Sequence, residues 1–322
     1  MPGAVRCYDG MFFLAVFAEC GIIKRKRGGN TLSIDRLQDR IRKVKNPTML
    51  ELSLSLSQLP PSYHPDLSAP ERYASYCADI LEALKGKLWA VRFGFASFAL
   101  LGPKGLEKLS ELLRQASKLG YYVALDAPGI LSAQDAQLTA EALFGEDSLF
   151  PCDGVVVPAY PGSDVWKPFL PYCQSGKKDL FVAVRTATRS APELQDLVTG
   201  SRLVHMAAAD QVNRYGGELV GKMGYSSVSV LASAPSAESL RAIRAKYPRL
   251  FILVDGYDLP GGNAKNCAAA FDKLGHGAAV CAGTSITRAW ARDEGTGEDA
   301  LEQAIAAADR IKKNIGRYIT VL

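Results

Sequence analysis

Glu51, Ser53, Arg92, Asp126, Arg185 with Thr186, Asp255 with Tyr257, and Arg288 share a position type in this 322-residue chain. Each lies at, or just beyond, the end of a short apolar run. Arginine grips a phosphate or carboxylate through parallel N–H donors. Glycine amides and helix N-termini cradle phosphate oxygens, and Gly261-Gly262 stand close to Tyr257. Taken singly, each arginine is explained by a rim salt bridge. Taken together, they point to one site for an anionic, phosphorylated ligand.

A common fold must place these residues side by side. Apolar runs occur at 48–54, 88–95, 121–126, 153–158, 180–186, 227–233, 250–256 and 276–283. Continuous apolar runs of this length suit strands buried on both faces of a parallel sheet. Amphipathic helices are expected between them. Over Gly105–Gly120, Leu106, Leu109, Leu112, Leu113, Ala116 and Leu119 form one stripe that ends at a glycine cap. Ala237–Tyr247, Asn263–Gly275 and Glu298–Arg317 read the same way, and a Pro-rich loop followed by a helix over 70–86 fills the excursion after the first strand. Eight strands alternating with helices predict an α/β protein, a single-domain (β/α)8 TIM barrel whose site lies at the C-terminal ends of its strands.

Hydrophobic content of 48% with 22% charged residues is that of an ordinary globular protein. The net charge is +5, of which residues 1–31 carry +3. The +2 that remains on the body is too small to suggest a nucleic-acid partner. Seven scattered cysteines with no Cys-x-x-Cys spacing are expected to be reduced thiols in a cytoplasmic protein. His64, His205 and His276 have no partner at metal-ligand spacing, so no metal is expected.

Residues 1–31 are expected to be an N-terminal extension, with the barrel over 32–322. Met11–Ile23 is mostly apolar but only thirteen residues long, and a basic run, Lys24-Arg-Lys-Arg27, follows it. A secretory leader puts its charge first, and a spanning helix needs about 20 residues. Leu32 reads as a natural beginning, so an over-extended start is expected; a weak membrane-surface tether is the alternative, and no membrane partner is otherwise implied.

Four ordered segments carry a resemblance. Val184-Arg-Thr-Ala-Thr-Arg-Ser-Ala-Pro-Glu-Leu-Gln-Asp-Leu197 is similar to a Val-Arg-Thr-Ser-Asn-Pro signature followed by Leu-Gln-Asp-Leu. Gly154–Leu170 is similar to a Val-Asn-Pro-Tyr-x-Gly-x-Asp segment running on to Pro-Phe-Leu. Val254-Asp-Gly-Tyr-Asp-Leu-Pro-Gly-Gly262 is similar to a Val-Pro-Gly-Tyr-Gly-Ala-Gln-Gly-Gly phosphate loop, and Leu101-Gly-Pro-Lys-Gly105 opens the matching helix after strand two. Over roughly residues 32–292 the chain resembles the orotidine 5'-phosphate decarboxylases of the longer bacterial type.

That resemblance implies a cofactor-free carboxy-lyase of pyrimidine biosynthesis, a homodimer, and a bound nucleoside monophosphate. The family uses a Lys on strand two and an Asp-x-Lys-x-x-Asp run after strand three. Its first Asp corresponds to Asp126, the Lys to Pro128 and the second Asp, which reaches across the dimer, to Leu131. The strand-two Lys corresponds to Arg92 and the ribose-holding Asp to Ser53. Val157 and Ala187-Thr188 replace polar residues of the two central signatures, and Pro260 replaces the Gln of the phosphate loop. Gly261, Gly262 and the late arginine, Arg288, are retained. Pro128 has no ionisable group, and no lysine lies between Lys118 and Lys167 to replace it. The expected protein binds phosphate through Arg288, Gly261 and Gly262, with Arg185, Thr186, Tyr257 and Ser53 around the ligand, and has lost orotidine monophosphate decarboxylation. A new acid/base set built from Asp126, Arg92 and Asp255 is a second reading. A third is an active decarboxylase whose site is completed elsewhere, including by an intact paralogue in a heterodimer.

Overall fold

The computed structural model describes residues 31–294 and 297–321. The apolar run Met11–Ile23 and the basic run after it lie outside the described residues. Eight parallel strands close into a barrel: β1 Thr48–Leu52, β2 Ala90–Gly94, β3 Tyr122–Asp126, β4 Gly154–Pro158, β5 Asp179–Arg185, β6 Val228–Ser233, β7 Ile252–Asp255 and β8 Ala278–Ala282. Each pairs with the next, and β8 returns to β1, with Thr48 opposite Val280. This is the (β/α)8 barrel expected from the eight apolar runs.

Strand side chains alternate between two cores. Outward residues such as Leu50, Val91, Val123, Val155, Val182 and Val230 pack under the surrounding helices. Those helices are α2 Ala69–Leu84, α3 Gly102–Lys118, α4 Ala133–Phe144, α5 Val204–Gly216, α6 Ala237–Lys246 and α7 Ala300–Ile315, with α1 Ser33–Val44 placed before the first strand. Inward residues Met49, Tyr122, Ala124, Phe181, Leu231, Phe251, Leu253 and Ala279 fill the barrel and meet Ile34, Leu37 and Ile41 of α1. Thus α1 plugs the N-terminal end of the barrel. Asp35 fixes that plug: its carboxylate accepts from the N–H groups of Leu32 (2.9 Å), Lys222 (3.0 Å) and Met223 (2.7 Å).

Only part of the expected helix over Asn263–Gly275 forms. Ala264–Cys267 is helical, Ala268–Ala270 tightens to a 3-10 turn, and Phe271 is extended. Asp272 then accepts hydrogen bonds from the N–H groups of Leu274 and His276, making a turn that competes with the helix. No helix among the described residues is long and apolar enough to cross a membrane.

Candidate active site

The inward alternation that fills the barrel also determines its top layer. Two residues beyond Met49, Ala90, Ala124, Leu253 and Ala279, the same faces present Glu51, Arg92, Asp126, Asp255 and Cys281. Parallel pairing sets Glu51 opposite Arg92 in β1 and β2, and Gly94 opposite Asp126 in β2 and β3. Three carboxyl groups and one guanidinium from four strands, with the Cys281 thiol from a fifth, therefore converge at the C-terminal mouth.

Arg92 is the hub, and it is buried. Its Nε and Nη2 donate to the two oxygens of Asp126 at 2.7 and 3.0 Å, and its Nη1 donates to Asp255 Oδ1 at 3.0 Å. Glu51 Oε2 lies 3.9 Å from the same Nη1, beyond hydrogen-bond reach. Burial alone would loosen the arginine proton, but Asp126, Glu51 and Asp255 together raise its pKa well above the ordinary value. Arg92 is therefore a fixed cation and no proton donor.

Three carboxylates share this one cation. Burial acts most strongly on Glu51, and against the pull of Arg92 it combines with Asp255, Asp126 and Asp258 to push the carboxyl up to about 7. A carboxyl so placed holds its proton in the neutral range and can exchange it there. Glu51 lines a small cavity of about 210 Å³ with Ser53, Asp255, Tyr257, Asp258 and Cys281, and no lysine among the described residues lines it. Residue type and its place near the end of the first apolar run put Glu51 at the mouth; its proton affinity depends on neighbours from other strands and has no local sequence signature.

A larger cavity of about 850 Å³ adjoins this one and shares Tyr257, Asp258 and Thr284 with it. Arg288 and Gly262 line the larger cavity. Gly262 is fixed by close approach: a Cβ there would stand 2.1 Å from the carbonyl oxygen of Gly256 and 2.6 Å from that of Tyr257. Gly261 beside it has φ +87°, and its carbonyl accepts from Asn266 Nδ2 at 2.8 Å. Arg288 is exposed, and among the described residues it forms no ion pair.

Arg185 and Thr186 lie elsewhere on the mouth, in a third cavity with Thr188, Pro235 and Pro260. Arg185 Nε and Nη2 donate to Asp196 at 2.9 and 3.0 Å, and Nη1 donates to the Thr186 carbonyl at 2.7 Å. Asp196 also lies 3.2 Å from the buried His205. The expected ligand-facing arginine is thus held in an internal ion pair, which turns Arg185 toward the chain after β5. Of the residues at the lysine-motif positions, Pro128 is half-buried after β3 and Leu131 is 85% exposed at the rim.

No family model matches the chain. Curated relatives do. A Rhodopirellula baltica orotidine 5'-phosphate decarboxylase is 28% identical over 269 residues, covering 80% of this chain and 89% of the relative. Over most of its length the chain is similar to the orotidine 5'-phosphate decarboxylases. The Clostridium novyi decarboxylase, 26% identical over 288 residues, aligns over 89% of this chain and 99% of its own length. Among solved structures, a Toxoplasma gondii chain described as an orotidine-monophosphate-decarboxylase superposes with a TM-score of 0.71, at 23% identity, over 88% of this chain and 97% of that one. The decarboxylase resemblance read from the four sequence segments is therefore found across most of the length, and the barrel is the decarboxylase fold.

Proposed function

We propose that this protein binds a phosphorylated small molecule, in the first instance a nucleoside monophosphate, and does not decarboxylate orotidine monophosphate. The observation that carries this reading is the adjacency of two cavities at one barrel mouth. One is lined by Arg288 and Gly262, and the other by Glu51 and Asp255 of the Arg92 cluster. The first suits a phosphate and the second the polar end of the same ligand.

The loss of decarboxylation rests on proton chemistry. A carbanion formed by loss of CO2 needs a cation beside it that can also deliver a proton. Arg92, at the position of the family's strand-two lysine, keeps its proton and spends its donors on Asp126 and Asp255. Pro128, at the position of the second lysine, has none to give. A positioned acid or base contributes about 10²–10⁴-fold, and its absence adds to the lost stabilisation of charge at the carbanion.

Glu51 favours a second reading, a repurposed acid/base site. A carboxyl titrating at about 7, beside a fixed arginine and two carboxylates, is suited to proton abstraction or delivery on a different phosphorylated substrate.

Calorimetric titration with uridine monophosphate, on the parent and on Arg288→Ala, tests the binding site. The reading expects saturable heat from the parent and an affinity at least tenfold weaker from the variant. Equal affinities would remove Arg288 from the site, and no heat from the parent would end the nucleotide reading.

A further inference from the structure

The cavity that contains Arg288 carries more positive charge than one phosphate requires. Lys265 after β7, Arg292 in the turn after Arg288, and Arg317 just beyond α7 line it as well. All four cations are exposed, and none forms an ion pair among the described residues. Among the described residues Asp258 is the lone carboxylate on the wall. Its Oδ2 accepts from the backbone N–H groups of Gly283 (2.7 Å) and Ser285 (3.3 Å), so it is turned to the chain after β8. Arg310 adds to the crowding: burial and then the charge of Arg292 lower its pKa.

A phosphate monoester brings about −1.5 to −2 charges at neutral pH. That balances two of the four lining cations, and a volume of about 850 Å³ far exceeds one phosphate. We propose that the cavity takes a small molecule with two phosphate groups, one at Arg288 and Gly262 and the second at Lys265, Arg292 and Arg317. The concave shape and the low charge of the rest of the body favour a small polyanion over nucleic acid. This deepens the phosphate-binding reading and rests on it. The two positions serve different ends: the first orients the ligand toward Glu51, and the second raises affinity away from the Glu51 cavity.

The test is calorimetric titration of the full chain with inorganic phosphate and with pyrophosphate at the same ionic strength, then with the Lys265→Ala/Arg317→Ala variant. Pyrophosphate is expected to bind the parent at least tenfold tighter than phosphate. The double substitution should remove that advantage and leave phosphate affinity within about twofold, because Arg288 and Gly262 are intact. Both substituted residues are exposed, and the parent comparison is decisive without the variant. Equal affinities of the two anions for the parent would overturn the second phosphate position while leaving the first. An advantage that survives the double substitution would also overturn the proposed placement. Binding of neither anion would overturn both readings.

Discussion

Arg92 and Asp126 face each other through two parallel hydrogen bonds, 2.7 and 3.0 Å long, across neighbouring strands of the barrel. The same guanidinium reaches Asp255 on the opposite side of the mouth. One buried cation thus holds together strands that are far apart in sequence. Removing it leaves Glu51, Asp126 and Asp255 without a counter-charge. Arg92→Met is expected to cost at least about 3 kcal/mol, the range found when one partner of a buried pair is deleted. Urea unfolding monitored by circular dichroism reads this directly. A loss below about 1 kcal/mol would mean the pair behaves as a surface bridge.

Glu51 makes stability depend on pH in a stated direction. Its folded-state pKa of about 7 lies above the ordinary 4.5, so the fold favours the protonated form. The stabilisation is fully present below about pH 4.5 and is lost as pH rises through 7. Glu51→Gln keeps the protonated shape at every pH. Relative to the parent, the variant should gain stability between pH 5 and 8, by on the order of 3 kcal/mol at most. Buried Asp179, also pushed up to about 7, is present in both proteins and cancels in the comparison. A difference that stays flat over this range would contradict the assignment.

The barrel was legible because its strands are continuous apolar runs bracketed by helical stripes, and each run matches a strand to within a few residues. The mouth was legible because Arg92 and Asp255 stand at or near the C-terminal ends of apolar runs, where a barrel of this kind carries its site. What stayed hidden depends on contacts between segments. Asp196 takes up Arg185 after the chain folds back through a short turn, a pairing that residue types alone do not distinguish from a free arginine. Lys265, Arg292 and Arg317 belong to three separate segments and converge only around α7. The 263–275 stretch has helical composition, but the turn built on Asp272 takes its last residues.

Gly262 should tolerate no side chain. With carbonyl oxygens of Gly256 and Tyr257 in the place of a Cβ, Gly262→Ala forces the loop after β7 to move. A cost of about 1–3 kcal/mol follows from overpacking a tight site, together with weaker phosphate binding. Thermal unfolding and phosphate titration of the same sample check both. Unchanged values would show that the loop yields freely.

Arg288 separates binding from stability. It is exposed and forms no ion pair among the described residues, so Arg288→Ala should change stability by less than about 0.5 kcal/mol. The tenfold or greater loss of nucleotide affinity expected for the same variant then reports a missing ligand contact and no damaged fold. A large drop in unfolding temperature would assign Arg288 a structural role instead.

The most direct test mixes orotidine monophosphate with a stoichiometric amount of the full chain and follows the pyrimidine absorbance while binding heat is recorded in parallel. Saturable heat with no absorbance change over many hours is the predicted result. Conversion of the substrate to uridine monophosphate that scales with protein concentration would contradict it, and would mean that Arg92 and Pro128 do not mark a lost proton donor.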